Sequence, residues 1–236
     1  MTAPILITGA GTRLGLALAH AYLDDAQPVI ATYRSARPEL DALAKRGAHL
    51  LHADFSTDEG IETAVASLVD ACPQLSSVVH NASSWEKDSD GAENLDILAR
   101  MMRIHVGAPM RITDALAPAL LQSTSPSVVN VSDHVANRGS DQHMAYAASK
   151  AALLNLTKSQ AKKYAPDIRI NALCPALLAF RPEDDAAYRK KALSKSPLGI
   201  EPGFDVAIEA IRYLQSNRYT TGVVLPLDGG RPLKMP

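Results

Sequence analysis

The stretch Pro4-Ile-Leu-Ile-Thr-Gly-Ala-Gly-Thr-Arg-Leu-Gly15 decides the fold. A short apolar run reads as a buried strand, the glycines as a sharp turn, and residues 14–22 as the helix that follows. Glycines at this place let the backbone approach a pyrophosphate, and the helix start offers unpaired N–H groups to the anion. The pattern is not the strict G-x-G-x-x-G, because Leu14 occupies the last glycine position. It is closer to T-G-x-x-x-G-x-G, with Arg13 replacing the middle glycine. On this stretch alone, a tight turn without a ligand stays open.

The same rhythm continues along the chain. Residues 28–33, His49–His52, Ser77–His80, Ser127–Val131, 168–173 and 222–227 read as further strands. Helical patterns lie at 39–45, 57–71, 95–121 (bent near Pro109) and 143–164. Continuous apolar strands alternating with helices predict an α/β fold. The expected architecture is one doubly wound Rossmann domain over residues 1–236, a seven-stranded parallel sheet flanked by helices. Two stretches break the rhythm, the polar 83–94 (SSWEKDSDGAEN) and 177–202. Both follow strands at their carboxyl ends, where open parallel sheets bind ligands, so 177–202 is expected to form the substrate loop.

Composition excludes other classes. Apolar residues are 47%, charged residues 21% and the net charge −1, which argues against a polyanion-binding surface. Cys72 and Cys174 lie outside any C-x-x-C pattern, so neither a disulfide framework nor a metal site is expected. No apolar run approaches the roughly 20 residues that span a bilayer, and no basic leader precedes the first strand. A cytoplasmic enzyme without membrane or nucleic-acid partners is the expectation. Trp85, the single tryptophan, lies in the first of the two irregular stretches.

The end of the second strand selects the cofactor. Dinucleotide folds that take NAD place an acid there for the ribose 2′-hydroxyl. This chain has Tyr33-Arg34-Ser35-Ala36-Arg37, and the first acid is Glu39. Arg34 can pair with a 2′-phosphate through a charge-assisted fork, and Ser35 adds a hydroxyl, so NADPH is favoured. Farther along, Tyr146 and Lys150 share one helix face at i and i+4. A nearby ammonium is expected to draw the phenol below its usual value near 10.

With these residues in place, the chain resembles the short-chain dehydrogenase/reductase family along essentially its whole length. The landmarks are Thr8 to Gly15, Asp54, Asn81-Ala82, Tyr146 with Lys150, Asn171 to Pro175, and Asp228-Gly229-Gly230. The resemblance implies a nucleotide site made of Gly9, Thr12, Arg13, Leu14, Arg34, Ser35, Asp54 and Phe55. Asn81, Ala82, Ser83, Tyr146, Lys150 and Pro175 complete it. It also implies that Lys150 holds the nicotinamide ribose and that the protein is a homotetramer.

The departures from that family carry more information. Thirteen residues before the tyrosine, where the family has a catalytic serine, stands Asp133; Ser132 is adjacent and keeps a carbonyl-reductase alternative open. The family's helix asparagine is replaced by His105, which reads equally as a relay or as a structural residue. An ionised carboxylate opposes the charge that develops on a carbonyl oxygen but stabilises a protonated C=N group. Arg13, Tyr33 to Ala36, Asn81-Ala82-Ser83-Ser84-Trp85 and Asp133 together resemble the pteridine reductases. The run Met101 to Val106 is most similar to bacterial members that reduce 7,8-dihydromonapterin and, more weakly, dihydrofolate. By that resemblance Tyr146, Asp133 and Lys150 are catalytic. Trp85 would stack on the pterin, while Arg13 and Ser83 would contact its edge and the cofactor phosphates. A non-catalytic NADP sensor is the alternative of another class.

Overall fold

The computed structural model describes residues 2–234, so the first residue and last two of the expected domain lie outside the described residues. One seven-stranded sheet holds β1 (Ile5–Ile7), β2 (Val29–Tyr33), β3 (His49–His52), β4 (Ser77–His80), β5 (Ser127–Val131), β6 (Arg169–Pro175) and β7 (Val224–Leu227). Their spatial order is β3-β2-β1-β4-β5-β6-β7 and every pairing is parallel. The order reverses between β1 and β4, which opens a crevice above their carboxyl ends.

Register shows why both faces are buried. Leu6, Val78, Val128 and Ile170 are aligned across four strands and share one core with Ile61, Leu68, Met101, Ile112 and Leu116. Their neighbours Ile7, Val79 and Val129 point the other way and pack with Leu14, Leu18, Leu43, Ile208 and Ile211. The edge strand β3 is the exception. His49 and His52 are exposed and its two leucines only half-buried, so it lacks the two-sided burial expected of it.

The helices are α1 (Arg13–Asp24), α2 (Pro38–Lys45), α3 (Asp58–Ala71), α4 (Glu93–Met102), α5 (Ala108–Leu120), α6 (Met144–Tyr164), α7 (Ala186–Leu193) and α8 (Asp205–Ser216). The single helix expected at 95–121 is two helices joined by a π-helical segment, Arg103–Gly107. That segment, rather than Pro109 itself, interrupts the helix. Helix α7 lies inside the stretch expected to be a loop, and α8 was not anticipated at all. Yet α8 buries Ala207, Ile208, Ile211 and Leu214 at helical spacing. Its carboxyl end is held by buried Arg169, which donates to the carbonyls of Leu214, Gln215 and Asn217.

Candidate active site

The crevice begins at the first turn. Gly9 has φ +69°, and a Cβ there would come within 2.7 Å of the Ala82 Cα. Arg13 adopts φ +51° without being glycine, a conformation that L side chains rarely take. Thr8 Oγ1 accepts the N–H groups of Asn81 and Ala82, both at 3.0 Å. The Asn81 amide returns two bonds, to the carbonyls of Thr8 and Gly9. Asn81, expected as a cofactor contact, therefore spends its side-chain N–H groups bracing β4 against β1.

Every residue expected at the nucleotide or substrate site lines one groove of about 710 Å³. At its β2 end, Arg34 and Arg37 make no side-chain hydrogen bond or ion pair among the described residues. Burial acts to raise the Asp54 carboxyl, but hydrogen bonds from Ser56 and the charges of Arg34 and His52 outweigh it and hold the group below its ordinary range. Two uncommitted guanidinium groups beside a serine hydroxyl suit a phosphate dianion, so the donor set fits a 2′-phosphorylated dinucleotide. Arg13, also on the groove, has its side chain engaged within the protein. Its guanidinium donates to the Ala179 carbonyl at 2.7 Å and sits over the Phe204 ring, tying the first turn to the segment after β6.

At the other end, Asp133 follows β5 and uses both carboxylate oxygens. One caps the short 3₁₀ turn His134–Asn137 by accepting from Val135 N–H at 2.8 Å. The other accepts from the Tyr146 hydroxyl at 3.0 Å. Lys150 is wholly buried and donates to the Val131 carbonyl at 2.9 Å. Burial lowers its pKa to about 8, against the opposing charge of Asp133. Tyr146 departs from expectation. Burial first, and then the adjacent Asp133 charge and hydrogen bond, push the phenol well above 10. The neutral phenol donating to a carboxylate is thus the resting form. Ser132 turns away, its hydroxyl donating to the Lys150 main-chain carbonyl at 3.0 Å.

The polar stretch after β4 forms the groove's wall. Trp85 is 57% exposed, and its ring stacks on His143 at 4.1 Å and 22°. The Arg181 guanidinium lies 5.9 Å from the ring centre. Stacking on a flat ligand would have to use the face that His143 leaves. Sequence reasoning missed Asp88, whose carboxylate accepts from Met144 and Ala145 N–H at 2.6 and 3.3 Å and so caps α6 from outside. It also missed Ser149, Arg37, Arg181, Tyr188 and Phe204. The last four line the groove; Arg37 lies in the cofactor-selecting segment and Arg181 and Tyr188 in the expected substrate loop without having been singled out, and Phe204 lies just beyond that loop.

A Gly-rich turn at the switch point, with a tyrosine and a lysine one helical turn apart facing it, defines a dinucleotide-dependent oxidoreductase. A family model described as enoyl-(acyl carrier protein) reductase matches residues 9–231. The chain belongs to the short-chain dehydrogenase/reductase family. It is 47% identical over 234 residues to the dihydromonapterin reductase of Klebsiella pneumoniae subsp. pneumoniae, covering 98% of this chain and 97% of that one. It is 44% identical over 233 residues to the dihydromonapterin reductase of Escherichia coli O6:K15:H31, with the same coverage. Among solved structures, FolM alternative dihydrofolate reductase 1 from Brucella canis, complexed with NADP, superimposes with a TM-score of 0.88. That protein is 28% identical, and the match covers 99% of this chain and 95% of that one. No helix among the described residues is long and apolar enough to cross a membrane.

Proposed function

We propose that this protein reduces 7,8-dihydromonapterin to the tetrahydro form with NADPH, and dihydrofolate more slowly, as a cytoplasmic homotetramer. The observation that carries the reading is the Asp133–Tyr146 pair, 3.0 Å apart, where a carbonyl reductase needs a serine hydroxyl. The names of the most similar relatives support the same substrate class.

NADPH, when bound, supplies the hydride. Arg34, Arg37 and Ser35 would hold its 2′-phosphate, and the first turn its pyrophosphate. The chain's own contribution is electrostatic and protonic. Asp133 keeps one negative charge beside the reacting centre, which favours a protonated ring nitrogen over a neutral one. Tyr146 holds a proton on its hydroxyl at working pH and shares it with Asp133, so the two act as one acid. Lys150 places a buried cation behind them.

Ser132, the residue that left a carbonyl substrate open, has its hydroxyl committed to the backbone. The test follows NADPH oxidation with dihydromonapterin, dihydrobiopterin, dihydrofolate and an acetoacetyl thioester in parallel. Pterin turnover without thioester turnover is expected. The reverse pattern, or tight NADPH binding with no turnover of any of the four, sinks the reading.

A further inference from the structure

His105 is a buried group for which the reaction above has no use. It sits in the π-helical segment, 1% exposed, against Ser83, Ser84, Ser149 and the edge of the Tyr146 ring. Its tautomer follows from its neighbours. The Ser84 main-chain N–H can only donate, and it points at Nε2 from 3.3 Å. Nε2 therefore carries a lone pair and the proton is on Nδ1. Nδ1 faces the Ser149 hydroxyl oxygen at 2.8 Å. Ser149 gives its own hydrogen to the Tyr146 carbonyl at 2.7 Å, so its oxygen is ready to accept. Both sides of the ring demand the same tautomer. Burial, then the charge of Lys150, holds the imidazole well below its ordinary pKa, so it stays neutral.

Ser83 Oγ lies 2.9 Å from the same Nε2. Two atoms that offer only lone pairs do not bond, so the hydrogen between them is the serine's. With that hydrogen turned inward, Ser83 presents only lone pairs to the groove it lines. The Tyr146 hydroxyl oxygen is also within hydrogen-bond reach of Ser83 and competes with Nε2 for that hydrogen, while its own hydrogen is already given to Asp133.

We propose that His105 is a positioning residue that makes Ser83 an obligate acceptor toward the groove, so that the site selects a substrate edge bearing N–H over one bearing a carbonyl oxygen. The inference rests on the dihydropterin reading and deepens it. A dihydropterin ring carries N–H and amino donors along its edge, whereas a ketone or thioester carbonyl brings lone pairs to lone pairs. The π-helical turn and the three serines thus set the polarity of one contact in the site.

The first measurement is a long-range ¹H–¹⁵N correlation spectrum of the histidine-labelled, ligand-free protein. His105 is expected in the Nδ1–H form, and the Nε2–H form overturns the inference. Kinetics supply the second arm. His105→Phe keeps the ring and is expected to raise KM for 7,8-dihydromonapterin about 5-fold, the scale of one net hydrogen bond, with a smaller change in kcat. His105→Gln, which restores an acceptor, recovers most of that loss. Ser83→Ala matches the phenylalanine variant, and combining the two adds little. Losses that simply sum, or a glutamine variant as impaired as phenylalanine, overturn the inference. The spectrum needs neither a variant nor turnover, so it stands if a variant fails to fold. Dihydropterin turnover by a wild type with the Nε2–H form defeats this inference alone. Absence of any dihydropterin turnover defeats the functional reading and the substrate choice that rests on it.

Discussion

Ser132 and Lys150 are joined through the serine hydroxyl and the lysine's main-chain carbonyl, 3.0 Å apart and buried. The serine nearest the family's catalytic position therefore stabilises helix α6 and contributes no donor to the groove. Ser132→Ala should leave dihydropterin turnover within about 3-fold and cost about 1 kcal/mol of stability, the net worth of one hydrogen bond. Asp133→Ser should cut turnover at least ~10-fold, as expected for an acid–base group. Steady-state rates and urea denaturation of both variants check the contrast. A Ser132→Ala variant as slow as Asp133→Ser would return the serine to the mechanism.

Lys150 makes a pH-dependent contribution whose sign can be worked out. Its pKa is 10.5 when exposed and about 8 in the fold. Below about pH 8 both folded and unfolded chains hold the proton, and the full burial penalty applies. Between about 8 and 10.5 the unfolded chain binds more protons, so this group's contribution to stability rises with pH. Lys150→Met should therefore raise the Tm of the ligand-free protein at pH 7 while abolishing turnover. The Tm gain should shrink near pH 10. A variant less stable than wild type at pH 7 would contradict the assignment.

His80 acts on the acid side. It is buried on β4, faces the Thr113 hydroxyl at 2.9 Å, and burial lowers its pKa from 6.5 to about 3. As pH falls from about 6.5 towards 3, the unfolded chain takes up a proton that the folded chain refuses, so stability falls. In urea titrations at pH 7 and pH 5, His80→Gln should narrow the gap between the two midpoints. An unchanged gap would remove His80 from the acid limb.

Asp88 caps the helix that carries Tyr146 only two residues from its start. Asp88→Ala should cost about 0.5–2 kcal/mol, the range for a lost cap, and lower kcat more than it raises KM for NADPH. Asp88→Asn keeps an acceptor oxygen and should recover most of both losses. A variant of wild-type stability and rate would show that the cap is dispensable.

Arg34 should decide between the two nicotinamide cofactors. Arg34→Ala is expected to raise KM for NADPH by at least ~10-fold through the loss of a charge-assisted contact, with KM for NADH nearly unchanged. Equal effects on both cofactors would place the arginine outside the 2′-phosphate site.

Much of the fold was legible because buried parallel strands are continuous apolar runs. Five of the seven expected strands agree with the observed ones to within one residue at each end, β6 runs two residues past its expected end, and β7 starts two residues later than expected. The π-helical interruption was not legible. Its apolar spacing differs from that of an unbroken helix by a single residue, and only packing around His105 marks it. Helix α8 is legible in the helical spacing of Ala207, Ile208, Ile211 and Leu214, which lies beyond the last irregular stretch. At the site, residue types could be read in order along the chain, but their directions could not. Tyr146 was expected to answer to Lys150, whereas in three dimensions Asp133 takes its hydrogen and Lys150 bonds to Val131. Asp88 was hidden because capping α6 is a contact between residues 56 positions apart.

The segment Arg103–Gly107 makes the chemistry of the groove depend on a count as well as on side-chain identity. Each residue turns a helix by about 100°, so removing Arg103 or Val106 would restore a regular helix and swing His105 away from Ser83 by about that angle. Every side chain of the groove wall would still be present. A relative one residue shorter in this segment would keep the same motif letters, yet its serine hydroxyl would be free to turn either way.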